Sequence, residues 1–416
     1  MWQANQVRVV VIGAGFAGLM AADVIARSGH EAIVFEARDR VGGRVWSAEL
    51  AAGDPRTLVE RGAEFVLDGY DVMRDVLSEL GLELADTAMS YYQREPRGGE
   101  QTTLAAVARC ARDLASLAAQ AAPGASVADV AAAWRGSRAT LAAVVSRISL
   151  TNGVSAELLA ASSIAGPASH VGSRPSWRVA GGNQRLADGL ADRLARLGQP
   201  VRLRSAVRSV DHDAEGACAR TDDGEVRADA MIVAVPMAVL RRLRFSPPPP
   251  DHLADAWQRA GIGHNAKLHV PLTAPASASA VHSVPGRFWT WTATDGSGTV
   301  QPMLHAFGGT REALAALDVA RGPETWASEI ASLRPELDLD LDRALLTTWN
   351  DDPWTGESYS ALTTEVARGD AELLAAPFGR ISVAGEHTAG GWAGLMEGAL
   401  RSGVRAAREI LARWAQ

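Results

Sequence analysis

The stretch from Val7 to Arg44 constrains the fold more than any other part of the chain. Val9-Val10-Val11-Ile12 is a β-branched run of the kind that forms a strand buried on both faces, and it leads directly into Gly13-Ala14-Gly15-Phe16-Ala17-Gly18. A helix follows the glycines, then a second apolar strand ending at Glu36. In that order the glycines allow a sharp turn and close approach of backbone to a pyrophosphate, while the helix N-terminus offers unpaired N–H groups to the phosphates. Glu36 stands where a carboxylate accepts hydrogen bonds from a ribose 2′-hydroxyl and repels a 2′-phosphate, so FAD or NAD is expected rather than NADP. A second match to the pattern, Gly261-Ile262-Gly263-His264-Asn265-Ala266, follows a helical stretch (Leu253 to Arg259) and precedes a strand. That order is backwards for phosphate binding.

Several other chemistries lack their parts. The formal charge of −7, with no basic run, argues against nucleic acid. The only cysteines, Cys110 and Cys218, lie far apart and form neither a disulfide framework nor a zinc site, and no HxxxH or HExxH spacing occurs, so no metal is expected. No GxSxG elbow is present for acyl transfer. No leader precedes the first strand and no apolar run reaches the roughly 18 residues of a membrane helix, so a cytoplasmic protein with no membrane partner is expected. With 416 residues, 47% of them hydrophobic, the chain is long enough for two cores.

Further along, the alanine-rich region from about Thr102 to Ala168 has helical spacing, at Leu104, Val107, Leu114, Leu117, Val127, Val130 and Trp134. Gly181-Gly182-Asn183-Gln184 leads into a helix over Arg185 to Leu197, followed by strands over Val201 to Val210 and Ala228 to Val235. The four prolines 247–250 mark a stiff crossing into a second region, with strands at Ala266 to Val270 and Arg287 to Ala293 and a helix near Glu324 to Leu333. A strand over Ile381 to Ala384 and an amphipathic helix close the chain.

Two more motifs carry a family resemblance. Arg38-Asp39-Arg40-Val41-Gly42-Gly43-Arg44 resembles the second glycine pair of flavoproteins in the glutathione reductase and amine oxidase superfamily, which implies FAD. Ala384-Gly385-Glu386-His387-Thr388 and Gly391-Trp392-Ala393-Gly394-Leu395-Met396-Glu397-Gly398-Ala399 are similar to the flavin-containing amine oxidases, the monoamine and polyamine oxidase group. The resemblance runs through Val179-Ala180-Gly181-Gly182 with Leu186, through Val207 at an adenine-contacting position, through Val233 to Pro236 and Phe245-Ser246-Pro247, and through Trp349 to Tyr359. It implies an α/β fold: a Rossmann-type FAD-binding domain (1–80, 176–250, 375–416) interleaved with a mixed-sheet substrate domain (81–175, 251–374) that carries a helical subdomain at about 102–170.

By the same resemblance, the cofactor-binding candidates are Gly13, Gly15, Phe16, Ala17, Gly18, Glu36, Ala37, Arg38, Gly42, Gly43, Arg44, Gly62, Ala63, Val207, Trp354, Gly385, Glu386, Leu395 and Met396. The catalytic candidates are Lys267, Tyr359, Glu64, Trp392 and Leu395. Lys267 resembles the family lysine that holds a water on the flavin, and alternation places it with His269 on one strand face. Trp289 and Trp291 share a face of another strand and, with Trp354, Tyr359 and Trp392, are candidates to line an apolar pocket; each is equally a candidate core residue. Glu64 is a candidate to orient a substrate nitrogen or act as base, with a plain solvent-facing glutamate as the alternative.

The implied reaction is oxidation of an amine C–N bond to an imine, with O₂ reduced to H₂O₂. Ser358 stands where monoamine oxidases carry the flavin-bonding cysteine, so non-covalent FAD is expected. Leu395 replaces one tyrosine of their aromatic cage and leaves Tyr359 as the surviving wall, which suits a bulkier natural-product or secondary amine, or even an amide nitrogen. The alternatives are a desaturase or cyclising oxidase of the same fold, and a non-catalytic protein like the GDP-dissociation inhibitors. A homodimer is compatible with this class, though the residues do not specify it.

Overall fold

In the computed structural model, residues 6–50, 57–366 and 369–414 are described. The outermost residues of the segments 1–80 and 375–416 lie outside them. Strands Glu31–Phe35, Arg8–Ile12, Ala230–Val233 and Ile381–Val383 form one parallel sheet in that order, so three distant parts of the chain meet edge to edge. Both faces of this sheet are covered, which is why its strands read as unbroken apolar runs. On one face pack helices Phe16–Arg27, Gln184–Arg196 and Met396–Trp414; on the other lie helix Asp251–Arg259 and a four-stranded sheet containing Val207–His212.

A second sheet of six strands runs in the order Leu345–Thr348, Asn265–Pro271, Met303–Gly309, Phe288–Thr292, Ser279–Ser283 and Glu95–Arg97. It is antiparallel except for its last pair, where Ser279–Ser283 and Glu95–Arg97 run parallel. The helices Leu104–Ala118, Val127–Ala133 and Arg138–Asn152 pack on one another through Val107, Leu114, Val130, Val144 and Ile148. Each begins at a side-chain cap: Thr103, Ser126 (a capping box with Asp129) and Ser137. The Rossmann-type α/β architecture with a mixed sheet and a helical subdomain is therefore as expected.

Element boundaries differ from the sequence reading: the strand expected over Ala228 to Val235 is Ala230–Val233, with Ala228 ending the separate strand Gly224–Ala228. Of the expected strand Val201 to Val210 only the part from Val207 onward pairs in a sheet, as the start of strand Val207–His212. Arg202, Arg204 and Ser205 instead donate to the carbonyls of Val34, Arg38 and Glu36, and Arg204 has a φ of 53°. Leu203, whose alternation suggested a strand, is 40% exposed, so no buried face holds it in register. At Arg287 a φ of 51° likewise delays the next strand to Phe288. The rejected glycine pattern at Gly261 is confirmed as structural: the Gly261 position packs on the Ala361 carbonyl of an antiparallel partner, and no helix follows it.

The helices Phe16–Arg27 and Met396–Trp414 approach so closely that a methyl group on Gly403 would sit 2.3 Å from the Ala17 carbonyl oxygen. Gly403→Ala should therefore cost about 1–3 kcal/mol through forced separation of the two helices, read as a lowered midpoint in thermal denaturation.

Candidate active site

The two glycine-rich loops touch. The Gly42 N–H donates to the Ala14 carbonyl at 2.8 Å, and Gly15 and Gly42 form a parallel bridge. A Cβ on Gly18 would lie 1.9 Å from the Gly13 carbonyl oxygen, so Gly18 serves the tight packing of helix on turn. A Cβ on Gly15 would meet nothing within 4 Å, because that side opens into a cavity of about 320 Å³. The cavity runs from the glycine turn past Glu36 to an aromatic end at Trp289, Trp291 and Phe307.

Of the cofactor-binding candidates, Gly13, Gly15, Phe16, Ala17, Glu36, Ala37, Arg38, Gly42, Gly43, Arg44, Gly62, Ala63, Val207, Trp354, Gly385, Glu386, Leu395 and Met396 all line this cavity, and Gly18 does not. Lys267, Glu64, Tyr359 and Leu395 line it too. Trp392 stands apart: its ring packs edge-on against Tyr70, with centroids 6.0 Å apart, and carries the Arg401 guanidinium on its face. Trp289 and Trp291 stack with centroids 4.2 Å apart, as their shared strand face requires.

Charge in the cavity wall is neutralised locally. Arg44 pairs with Glu386 at 3.0 Å and Glu357 at 3.2 Å, and also donates to the Ser358 carbonyl. Burial pushes the Glu357 carboxyl up, whereas Arg44 holds that of Glu386 below its ordinary value against the same burial. Arg38 forks onto Asp352 with two 2.7 Å bonds and reaches Thr355. Both Glu36 oxygens accept backbone N–H groups, from Ala14 at 2.8 Å and Arg38 at 2.9 Å, which fixes the carboxylate at the end of its strand.

Lys267 and Glu64 form one buried unit. The Lys267 ammonium donates to Glu64 Oε2 at 2.7 Å and to the carbonyls of Glu60 and Gly62 at 2.6 and 3.1 Å, which uses all three of its donors. Glu64 is therefore not solvent-facing. Its other oxygen accepts from Trp291 Nε1 at 3.2 Å, with Arg178 at 3.5 Å. Burial alone would raise its carboxyl; Lys267 and Arg178 outweigh burial and hold it below the ordinary range. Such a group is a poor proton acceptor near neutral pH. Beside it, burial raises the Glu60 carboxyl to about 7.

Some supporting residues escaped the sequence reading. Asn183 was noticed only as part of a helix entry, yet its amide donates to the carbonyls of Ala63 at 3.0 Å and Glu64 at 2.7 Å and so fixes the segment carrying Glu64. Phe65, Tyr91 and Phe307 complete the aromatic end. Tyr91 is one of four tyrosines in the chain, a scarcity that offered some signal. Arg178 carried none, because a single arginine in a short strand looks solvated.

The chain matches the family described as flavin containing amine oxidoreductase over residues 16–151 and 146–411. It belongs to that family. The flavin amine oxidoreductase is 30% identical over 465 aligned residues to a Mycobacterium tuberculosis protein provisionally named flavin-containing monoamine oxidase AofH, covering 98% of this chain and 97% of that one. It is 26% identical to the flavin-containing amine oxidase B of Sus scrofa, over 97% of this chain and 86% of the relative. Its fold is shared with putrescine oxidase bound to putrescine (TM-score 0.84, 22% identity, 98% of this chain and 99% of that chain). The cyclohexylamine oxidase from Brevibacterium oxydans is similar too (TM-score 0.81, 20% identity, 99% and 100%). Membership of an oxidoreductase family leaves the non-catalytic alternative without support. No helix among the described residues is long and apolar enough to cross a membrane.

Two predictions follow from the buried charges. Glu64→Gln leaves Lys267 and Arg178 uncompensated and should cost about 3–5 kcal/mol in denaturant unfolding, while adding Lys267→Met should recover part of that loss. Burial also lowers His387 to about 4 and His269, His282 and His305 well below 6.5. The unfolded chain therefore takes up protons below pH 6.5 that the native chain does not, and stability falls with pH. Glu60 acts in the opposite sense, since its raised value favours the native state below 4.5 and that contribution is lost as pH rises through 7. The four histidines, together with the lowered carboxyls of Glu64 and Glu386, outweigh the raised carboxyls of Glu60 and Glu357, so the thermal midpoint should fall as pH is lowered from 7 to 5.

Proposed function

We propose that the protein binds FAD without a covalent bond and oxidises the C–N bond of an amine to an imine, with O₂ as acceptor and H₂O₂ as product. The observation that carries this reading is the single cavity joining the glycine turn, Glu36 and the Gly42-Gly43 loop at one end to Lys267, Glu64 and the tryptophan pair at the other. Its first end fits a dinucleotide: Gly15 opens freely into it, and helix Phe16–Arg27 starts at its wall. Neither Cys110 nor Cys218 lines the cavity, and Ser358 does, which supports a flavin released on denaturation.

When bound, FAD supplies the acceptor for two electrons and a proton from the carbon bearing nitrogen. The residues set the conditions for that transfer. Helix Met396–Trp414 begins at the cavity wall, and its first-turn amides favour negative charge there. Phe65, Trp289, Trp291 and Phe307 exclude water from the aromatic end, which lowers an ammonium pKa and favours the neutral amine whose lone pair stabilises the developing cation. Glu64, already ion-paired, orients the site rather than accepting the proton. Leu395 and Tyr359 face one cavity, and the smaller aliphatic wall leaves room for a bulky or secondary amine.

Acid-denatured protein should release its yellow chromophore into the supernatant as FAD. Anaerobic mixing with a broad amine panel should bleach the bound flavin, and air should restore it with H₂O₂. Flavin retained on the denatured chain refutes the non-covalent reading, and bleaching by no amine shifts the assignment to a desaturase or cyclising oxidase.

A further inference from the structure

Behind the aromatic end of the cavity lie two buried guanidinium groups that the reaction above does not use. Arg94 is 4% exposed and Arg147 is 2% exposed. Both converge on one neutral acceptor, the Tyr91 carbonyl, which takes Arg94 Nε at 3.1 Å and Arg147 Nη2 at 3.3 Å; Arg147 Nη2 also reaches the His170 carbonyl at 3.0 Å. Arg94 Nη1 and Arg147 Nε are buried without any hydrogen-bond partner, and among the described residues neither side chain makes an ion pair. Buried arginine is ordinarily paired with a carboxylate, so this arrangement leaves positive charge uncompensated.

That charge is felt inside the cavity. The Arg94 guanidinium carbon sits over Trp289, 3.9 Å from its ring centroid, and 4.6 Å from that of Tyr91. Trp289 and Tyr91 both line the cavity, so the cation lies behind their rings in low-dielectric surroundings, with Trp291 stacked on Trp289. Burial raises the phenol of Tyr359, which lines the same cavity, and Arg94 opposes that rise. On the near side, Lys267 and Arg178 share the carboxylate of Glu64, so that acid has no capacity left to hold a second ammonium.

Resting on the amine oxidoreductase reading, we infer that the aromatic end takes an amine whose far end, away from the reacting C–N bond, carries a carboxylate, and that it disfavours a diamine. The fixed cations raise the local concentration of an anionic group and repel a distal ammonium. Reacting amine and distal carboxylate thus find opposite preferences in one cavity: the apolar wall favours the uncharged nitrogen, the guanidinium pair favours the anion.

The test is calorimetric binding to the holoenzyme of three matched probes: phenylpropanoate, phenylpropanol and phenylpropyl-trimethylammonium. The anion should bind about tenfold or more tightly than the alcohol, and the cation more weakly than either. In Arg94→Gln the anion's advantage should fall to within about twofold of the alcohol, whose own affinity stays unchanged; Arg94→Lys should retain most of it. Arg147→Gln provides a second variant should Arg94→Gln not fold. An anion that binds no more tightly than the alcohol, or an advantage that survives in both glutamine variants, overturns the inference. Absence of the preference in the unaltered holoenzyme, while amines still bleach its flavin, refutes the charge assignment alone. A preserved preference with no bleaching by any amine refutes the C–N reading and leaves the charge assignment standing.

Discussion

One guanidinium closes the site. Arg44 leaves the second glycine loop and reaches Glu357 and Glu386, residues more than three hundred positions away in the chain. Each carboxylate is tied elsewhere: Glu357 accepts the N–H groups of Met237 and Ala238, and Glu386 accepts from Ser360 and Gly394. Four separate segments are therefore registered against one another through a single half-buried cation. Since two acids share one base, removing Arg44 leaves both carboxylates without their cation, whereas removing one acid leaves a matched pair.

The glycine-turn end was legible from residues alone, because its demands are local. A strand, a glycine turn, a helix and a carboxylate at the next strand end specify their own geometry, and Gly13, Gly15 and Glu36 stand where that pattern places them. Trp289 and Trp291 were legible for the same reason, since a two-residue spacing in a strand fixes a shared face. What was not legible depends on partners distant in sequence. No local pattern shows that Lys267 spends its donors on Glu60, Gly62 and Glu64, nor that Trp392 turns to Tyr70 instead of the cavity. The strand expected over Val201 to Val210 failed in an instructive way. Alternation was present, but strand pairing needs a neighbour at every position, and Arg204 turns away.

Electrostatics divides the cavity into two regimes. Along the glycine-turn end, Arg38 pairs with Asp352 and Arg44 with Glu357 and Glu386, so the cations of that wall meet carboxylates directly. At the aromatic end the apolar rings lie between the cavity and cations that have no such match. The stack extends inward from Arg94 through Trp289 and Trp291 to His305, whose Nδ1 meets that of His269 at 2.9 Å. Rings in such a column cannot tilt singly, so the shape of the wall is set by the whole row.

Glu397 shows how the start of the last helix is held. Its neighbour Met396 lines the cavity, while Glu397 itself is wholly buried and points the other way. There it accepts the N–H groups of Val72 at 3.0 Å and Met73 at 2.9 Å, two of the donors left open at the beginning of helix Asp71–Glu79. One helix thus plugs the open end of another through a side chain, one residue from the cavity wall. The two helix starts behave as a clamped joint: a displacement of Met396 by whatever occupies the cavity must either carry Asp71–Glu79 with it or break both bonds.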